Sequence, residues 1–212
     1  MTNIAIIDYG MGNLRSVAKA FEHVAPQAQV RITHNRHDIL AADRVVFPGQ
    51  GSIRDCMREL AHAELIDVVQ DAARSKPFLG LCLGPQALLD FSEENGGVEC
   101  LKILPGRVVW FGELFDPASG ERLKVPHMGW NQVHRVRDHL LWEGIPQGSR
   151  FYFVHSYYLQ PTDEALTVGQ SQYGFNFTVA IARDNLFAVQ FHPEKSAQAG
   201  LRLLANFINW NP

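Results

Sequence analysis

The chain has 212 residues with a net charge of −3, and 46% of its residues are hydrophobic. This length and apolar share predict one folded domain over residues 1–212, and they exclude a disordered or fibrous chain. Because its net charge is mildly negative, the chain lacks the broad positive field that non-specific binding of nucleic acid requires, and it has no local basic patch. No apolar run is long enough to span a bilayer. We therefore expect neither a nucleic-acid nor a membrane partner.

The N-terminus and the cysteines indicate the compartment. Residues 1–4 do not combine a basic region with a long apolar run, as a secretion signal does. Three cysteines, at positions 56, 82 and 100, are too few and odd in number for a disulfide framework. These features predict a cytoplasmic protein, with one cysteine available for chemistry.

Short apolar runs alternate with helical patterns in the first half of the chain. A strand is expected at residues 4–7, followed by a helix whose apolar face begins at Leu14. Two further buried strands are expected at 44–47 and 77–81, with a helix around 65–72 between them. Alternation of this kind implies parallel strands joined by crossover helices.

After about residue 100 the pattern favours strands, and one amphipathic helix near Leu201 closes the chain. Asp184 and Asn185 are typical of a tight hairpin between the last two strands. Together the two halves predict an α/β fold with a mixed central sheet flanked by helices. The expected strands of the second half are 106–111, 125–136, 151–159, 166–170, 177–182 and 186–191.

Cys82 stands where a buried apolar run meets a helical pattern, with glycines at positions 80 and 84. This spacing is typical of a nucleophile elbow, a sharp turn from strand to helix, with Cys in place of Ser. The glycines are expected because side chains two residues before and after the nucleophile would collide. A helix N-terminus favours the thiolate. Pro85 fits the first helical turn, where its missing N–H is not needed.

Taken alone, the elbow pattern also fits a small buried cysteine at a tight turn. A cysteine nucleophile needs a base and a group that orients the base, and His192 and Glu194 are the candidates. Residues i and i+2 of an extended segment point to the same side, so Glu194 is expected to contact the His192 imidazole. An isolated histidine there would be an ordinary polar residue, but together with the elbow it favours a catalytic triad.

Acyl transfer also needs N–H donors for the developing oxyanion. The backbone N–H of Leu83, just after the nucleophile, is one candidate. Gln50 and Gly51 are others, because they lie in a glycine-rich loop that follows a strand. Glycine permits a positive φ that turns a backbone N–H toward the site. An ordinary strand-to-helix turn explains this loop equally well.

No pattern in the sequence indicates a cofactor or a metal. The glycine loop at residues 10–15 lacks the third glycine of the dinucleotide-binding fingerprint, because Arg15 occupies that position. His34 and His37 are three residues apart, but no third ligand stands at a recognisable spacing. We therefore expect neither group.

The motifs at residues 80–86 and 191–194 resemble those of the class I, or triad-type, glutamine amidotransferases. Within that family, four blocks are similar to the glutaminase subunits of imidazole glycerol phosphate synthase, and they cover essentially the whole chain. Two positions depart from the family pattern: Gln50 replaces a small aliphatic residue, and Pro85 replaces Met or a similar residue. The four blocks are residues 8–14, 124–131, 152–158 and 190–196.

The resemblance implies a flavodoxin-like glutamine amidotransferase domain over residues 1–212. It also implies that Cys82 attacks the side-chain amide of glutamine, that His192 moves protons and that Glu194 orients His192. A γ-glutamyl thioester would form, ammonia would leave, and water would release glutamate. The substrate-binding residues implied by the resemblance are Gly49, Gln86, Ser156 and Tyr157, with Leu83, Gln50 and Gly51 as the oxyanion hole.

The resemblance further implies a heterodimer with a cyclase subunit that folds as a (β/α)₈ barrel. Ammonia would pass through a channel to the cyclase, which forms imidazole glycerol phosphate and aminoimidazole carboxamide ribotide for histidine and purine synthesis. The expected partner-facing residues are Asn13, Lys124, Pro126, Met128, Trp130 and Lys195.

Two alternatives stay open. One is a triad glutaminase that serves another acceptor, in pyridoxal phosphate or anthranilate synthesis; the blocks at 124–131 and 152–158 disfavour it. The other is a non-catalytic binding protein on the same fold, since fold alone does not determine function. The intact set of Cys82, His192 and Glu194 argues against it.

Overall fold

A computed structural model describes residues 1–212. Strands and helices alternate in the first half of the chain, as predicted. The elements there are β1 (Asn3–Ile7), α1 (Leu14–Val24), β2 (Gln29–Thr33), α2 (Arg36–Ala41), β3 (Arg44–Gly49), α3 (Ile53–His62), α4 (Ile66–Ser75), β4 (Phe78–Cys82) and α5 (Leu83–Leu88). The edge strand β2 gave no sequence signal, because its residues are mostly exposed and form no apolar run.

Strands dominate the second half, and one long helix closes the chain. The elements are β5 (Phe91–Ser92), β6 (Val98–Glu99), β7 (Gly106–Trp110), β8 (Leu114–Phe115), β9 (Arg122–Leu123), β10 (His127–Arg135), β11 (Ser149–His155), β12 (Tyr157–Pro161), β13 (Thr167–Tyr173), β14 (Phe175–Arg183), β15 (Leu186–Val189) and α6 (Ala197–Asn209). The expected hairpin at Asp184 and Asn185 joins β14 to β15, which pair antiparallel.

Five parallel strands form one side of the sheet, from the edge strand β2 inward, in the order β2-β1-β3-β4-β15. This is the 2-1-3-4-5 order of flavodoxin-like folds. The strands β14, β12 and β7 extend the sheet with antiparallel pairing, which makes it mixed. Because β4 and β15 are parallel neighbours, their carboxyl ends meet at one edge of the sheet. Cys82 and His192 therefore come together although 110 positions separate them in the sequence.

The single strand expected at residues 151–159 is wrong. Residues 149–155 pair with β10, whereas residues 157–161 pair with β7 and β14. The chain changes sheet partner at Ser156, so the run is divided into β11 and β12. Ser156 lies between the two ladders, and it lines the site described below together with its paired neighbours His155 and Tyr157.

Apolar side chains fill both faces of the sheet. Alternate residues of β1 enter different clusters: Ile4 and Ile6 pack with α1 and α6, whereas Ala5 and Ile7 pack with α3 and α4. Helices thus cover the sheet on both sides, as an α/β architecture requires. Burying each large apolar side chain contributes roughly 1.5–3 kcal/mol to folding. No helix is both long and apolar enough to cross a membrane.

Candidate active site

Cys82 lies at the turn between β4 and α5, with φ of 57° and ψ of −90°. A Cβ added at Gly80 would lie 2.9 Å from the Cβ of Ala188, and one added at Gly84 would lie 2.5 Å from the carbonyl oxygen of Phe47. The elbow is therefore present with its two glycines, as predicted. The neighbouring strands β15 and β3 thus leave no room for a side chain at either position, and the expected collision between positions 80 and 84 stays a prediction.

His192 and Glu194 are in contact. The Nδ1 of His192 lies 2.9 Å from the Oε1 of Glu194, and the two side chains are only 4% and 2% exposed. His192 itself is extended, with φ of −102° and ψ of 96°, as expected. The extended geometry expected for the residues after it is wrong, because Pro193–Lys195 forms a 3₁₀ turn. The turn brings the carboxylate back to the imidazole.

A buried serine holds the backbone of His192. Ser196 is 1% exposed, and its hydroxyl donates a hydrogen bond to the His192 carbonyl at 2.6 Å. The same hydroxyl accepts a bond from the Tyr152 N–H at 2.9 Å, and the His192 N–H donates to the Tyr152 carbonyl at 2.9 Å. No local sequence pattern points to Ser196, because its role depends on a strand 44 residues away.

The environment of His192 favours its protonated form. Burial alone lowers the pKa of His192, but the neighbouring Cys82 and Glu194 outweigh burial and raise this pKa to about 10. Its Nε2 is buried with no hydrogen-bond partner. Since Nδ1 faces Glu194, Nε2 is the nitrogen available to the thiol. The site thus places a protonated imidazole beside the thiol of Cys82, the pairing that activates a cysteine nucleophile.

The predicted oxyanion donors lie beside Cys82. Leu83 is the first residue of α5, so its N–H has no partner within the helix. Gln50 and Gly51 follow β3, and Gly51 has the predicted positive φ, at +90°. No hydrogen bond within the chain uses the N–H groups of Gln50 and Gly51. Three backbone N–H groups are therefore free to bind a developing oxyanion.

These residues surround a cavity of about 420 Å³. A volume of this order is typical of small-molecule sites, which span roughly 300–1,000 Å³. The lining includes most of the predicted site residues, together with four that were not predicted: Glu94, Val154, His155 and Gln190. The complete lining is Gln50, Gly51, Cys82, Leu83, Gln86, Glu94, Pro126, Val154, His155, Ser156, Tyr157, Gln190, His192 and Lys195.

Gly49, which was expected to bind substrate, does not line the cavity. It pairs with Cys82 at the end of the β3 and β4 ladder. A Cβ added there would lie 2.5 Å from the Tyr9 hydroxyl and 2.8 Å from the Cβ of Leu83. Gly49 therefore packs behind the cavity wall, and its lack of a side chain permits that packing.

Two buried glutamines connect the cavity to the elbow. The Nε2 of Gln86 donates to the Oε1 of Gln190 at 2.9 Å, and the Nε2 of Gln190 donates to the Cys82 carbonyl at 3.0 Å. Gln190 therefore holds the peptide that follows the nucleophile. The Oε1 of Gln86 keeps free lone pairs beside the cavity, where a substrate N–H can donate to it.

The residues expected to face a partner divide between the cavity and the nearby surface. Pro126 and Lys195 line the cavity. Met128 and Trp130 lie two positions apart on β10, and they are 62% and 48% exposed. Asn13 stands at the start of α1 without contacting the cavity. Lys124 is an exposed residue before β10 and also lies outside the cavity lining.

Comparison with known proteins agrees with this geometry. Residues 5–210 match the family model of class I glutamine amidotransferases. The chain belongs to that family, as the sequence motifs predicted. It is similar over 100% of both chains to the HisH subunit of imidazole glycerol phosphate synthase from Aromatoleum aromaticum, with 61% identity. The HisH subunit from Nitrosococcus oceani is 59% identical over 100% of this chain and 99% of its own.

Solved structures support the fold independently. The PurLQS structure from Thermotoga maritima superposes with a TM-score of 0.71, over 98% of both chains and with 17% sequence identity. The glutaminase domain of the Trypanosoma brucei CTPS gives a TM-score of 0.62, over 100% of this chain and 96% of its own, with 18% identity. These similarities confirm the expected fold class, while the family match and the full-length relatives place the chain among the glutaminases.

Proposed function

We propose that this chain hydrolyses glutamine to glutamate and ammonia as the glutaminase subunit of an imidazole glycerol phosphate synthase. The observation that carries the proposal is the buried Cys82, His192 and Glu194 arrangement beside a cavity of about 420 Å³. The whole chain, residues 1–212, acts as one amidotransferase domain. It requires no metal and no organic cofactor, because the protein's own thiolate is the nucleophile.

The thiolate of Cys82 attacks the side-chain carbonyl carbon of glutamine, and the carbonyl oxygen becomes an oxyanion. The N–H groups of Leu83, Gln50 and Gly51 stabilise that charge. The carbon–nitrogen bond then breaks, the Nε2 of the His192 imidazolium gives its proton to the leaving nitrogen, and ammonia and a thioester result. His192, now neutral, takes a proton from water as the water attacks the thioester. Glutamate leaves, and the thiolate and imidazolium are restored.

Several elements of the cavity lining supply the groups that bind the substrate. Gln86 offers its Oε1 as a hydrogen-bond acceptor, and Ser156 and Tyr157 line the cavity where the chain crosses from β11 to β12. Glu94 adds a carboxylate to the lining. A negative group there suits the ammonium group of an amino-acid substrate.

The ammonia passes to a cyclase subunit with a (β/α)₈ barrel, which forms the heterodimer. The relatives named above are subunits of imidazole glycerol phosphate synthase, which supports this acceptor over pyridoxal phosphate or anthranilate synthesis. Met128 and Trp130 offer exposed apolar side chains beside the cavity mouth, and exposed apolar residues of this size favour a protein interface. The complex acts in the cytoplasm, in histidine biosynthesis, and the three free cysteines are compatible with a reducing compartment.

The test compares glutamine hydrolysis by the chain alone, with the cyclase subunit, and with the cyclase subunit plus its nucleotide ligand. We expect the last condition to raise the rate at least about tenfold, equivalent to about 1.4 kcal/mol of transition-state stabilisation. A glutaminase that responds to an anthranilate or pyridoxal phosphate synthase partner and not to the cyclase would favour the alternative acceptor. No hydrolysis under any condition would favour a binding protein.

A further inference from the structure

Tyr9 follows β1 and is buried behind the oxyanion loop, which we define as residues 49–51. Its side chain is 3% exposed, and its ring packs on Phe47 with 5.5 Å between the ring centroids. The Tyr9 hydroxyl donates a hydrogen bond to the Pro48 carbonyl at 3.0 Å and accepts one from the Cys56 thiol at 3.6 Å. Burial raises the pKa of Tyr9 well above its usual value. The hydroxyl therefore stays protonated and remains a donor.

The bond from Tyr9 anchors the peptide at which the loop begins. Pro48 has no N–H, so its carbonyl is its only backbone hydrogen-bonding group, and Tyr9 binds it. The regular ladder between β3 and β4 ends one residue later, where Gly49 pairs with Cys82. Beyond that pair, the N–H groups of Gln50 and Gly51 make no hydrogen bond within the chain.

Gly49 lies between the Tyr9 hydroxyl and the elbow. A Cβ at position 49 would lie 2.5 Å from the hydroxyl oxygen on one side and 2.8 Å from the Leu83 Cβ on the other. The hydroxyl, the Gly49 backbone and Leu83 are therefore stacked in direct contact. A shift of the Pro48 carbonyl would move the loop relative to the N–H of Leu83, which is part of the same oxyanion site.

We propose that Tyr9 is a positioning residue for the glutaminase reaction, whose hydroxyl fixes the Pro48 peptide and thereby aims the N–H groups of Gln50 and Gly51 at the oxyanion. The inference rests on the proposed function, because it assigns Tyr9 to the stabilisation of that reaction's transition state. Tyr9 does not line the cavity and makes no hydrogen bond to the Cys82 thiol, so it acts only through the loop.

The test is Tyr9→Phe, assayed in the complex with the cyclase subunit. The variant keeps the ring packing on Phe47 and removes only the hydroxyl. Loss of one oxyanion donor costs about 10²–10³ in kcat, so misalignment of donors that remain present is expected to lower kcat about tenfold. The KM for glutamine is expected to stay within about twofold, because these donors act on charge that develops only in the transition state.

Alkylation of Cys82 by iodoacetamide separates the loop from the nucleophile. The thiolate sulfur forms a bond to the reagent's methylene carbon as iodide leaves, and no oxyanion develops. Tyr9→Phe is therefore expected to alkylate at the wild-type rate while its glutamine kcat falls. Ammonia-dependent turnover by the complex is also expected to remain at the wild-type level, because it needs the fold and the partner but not the oxyanion site.

Cys56→Ala is the matched control, because it removes the other group that contacts the same hydroxyl and leaves the bond from Tyr9 to Pro48. Its glutamine kcat is expected within about twofold of wild type. Three results overturn the proposal. The first is an unchanged kcat in Tyr9→Phe, and the second is a fall in its kcat together with slower alkylation or lost ammonia-dependent turnover. The third is a fall in kcat in Cys56→Ala as large as that in Tyr9→Phe. Absence of glutamine hydrolysis in the wild-type complex would instead overturn the proposed function itself.

Discussion

The nucleophile elbow at Cys82 and the oxyanion loop line the same cavity, but they are held in different ways. The elbow is enclosed: β3 and β15 leave no room for a side chain at Gly84 or Gly80, and Gln190 binds the carbonyl of Cys82. The loop leaves the sheet after Gly49, the N–H groups of Gln50 and Gly51 make no hydrogen bond within the chain, and Tyr9 anchors the loop from behind at Pro48.

This difference separates two parts of the catalysis. The core of the fold fixes the nucleophile and its base, so any change there is expected to abolish or severely reduce hydrolysis. The donors for the oxyanion depend on fewer contacts, so changes at the loop are expected to reduce the rate without removing the nucleophile. Substitutions at Cys82, Glu194 and Gly84 test the enclosed side, and the pH dependence of unfolding tests a separate set of histidines.

Cys82→Ala is expected to lower glutamine hydrolysis by at least about 10⁴-fold, because no other group in the cavity can form the thioester. Ammonia-dependent turnover of the complex is expected to continue at the wild-type rate, since the substitution leaves the proposed partner surface intact. Steady-state assays with glutamine and with an ammonium salt measure the two activities. Cys100→Ala, which changes a buried cysteine outside the cavity, is the control. Loss of both activities in Cys82→Ala would contradict this division.

Glu194→Gln is expected to lower kcat about 10³-fold, because the uncharged amide holds the imidazolium less well. The carboxylate is one cause of the raised pKa of His192, which is about 10. Removing the carboxylate lowers the pKa of His192, so the imidazolium loses its proton at a lower pH. The alkaline limb of the kcat/KM profile therefore moves to lower pH. Profiles between pH 6 and pH 11 measure the shift. The exposed substitution Glu22→Gln should leave the limb in place, and an unmoved limb in Glu194→Gln would exclude a charged contact.

Gly84→Ala tests the packing of the elbow. The added Cβ would lie 2.5 Å from the Phe47 carbonyl oxygen, which belongs to the backbone and cannot rotate away. We expect the free energy of unfolding to fall by about 1–3 kcal/mol. A displacement of about 1 Å at the nucleophile is expected to lower kcat about 10²-fold. Urea denaturation and the glutamine assay measure both. Gly120→Ala is the control for backbone strain alone, because its added Cβ meets no atom within 4 Å and only the positive φ of 72° disfavours it, so it is expected to keep the wild-type kcat. Wild-type behaviour in Gly84→Ala would contradict the enclosed elbow.

Two buried histidines, His127 and His155, and the partly buried His139 predict sensitivity to acid. Burial lowers the pKa of His127 and His139 to about 4 and that of His155 to about 3. Below about pH 6.5 the unfolded chain binds protons that the folded chain excludes, so the free energy of unfolding falls as the pH drops toward 4. Each such proton contributes about 1.4 kcal/mol per pH unit.

Urea denaturation at pH 7, 6 and 5 measures this slope. His139→Asn keeps a side-chain acceptor for the Leu141 N–H, which His139 now binds at 3.1 Å, but cannot titrate. Its slope is expected to be smaller by up to one proton, whereas the exposed, non-titrating substitution Gln27→Asn should leave it unchanged. An unchanged slope in His139→Asn would show that this histidine binds protons equally in the folded and unfolded states.

The features that depend on local sequence were predictable. The glycine spacing around Cys82 identified the elbow, because the turn from strand to helix is a local event. The contact between His192 and Glu194 was also expected, since two residues separate them, although the 3₁₀ turn that makes the contact was not. Proline at position 193 fits that turn as well as the extended segment that was predicted.

The features that depend on distant contacts were not predictable. Gln190 binds the Cys82 carbonyl across 108 positions, and Tyr9 binds Pro48 across 39. In the sequence, Gln190 and Tyr9 are single polar residues beside apolar runs. Only the order of the strands in the sheet brings them to their partners. The division of residues 151–159 at Ser156 has the same origin, because a change of sheet partner leaves no signal in the apolar pattern.

Labelling with a glutamine-like chloroketone tests whether Cys82 is the nucleophile that attacks glutamine. Intact mass counts the adducts, and the modified peptide identifies the residue. We expect one adduct, on Cys82, at a rate that added glutamine slows and that Glu194→Gln reduces. Modification of Cys56 or Cys100 instead, or labelling of Cys82 that glutamine does not slow, would contradict the assignment of Cys82 as the nucleophile of a glutamine site.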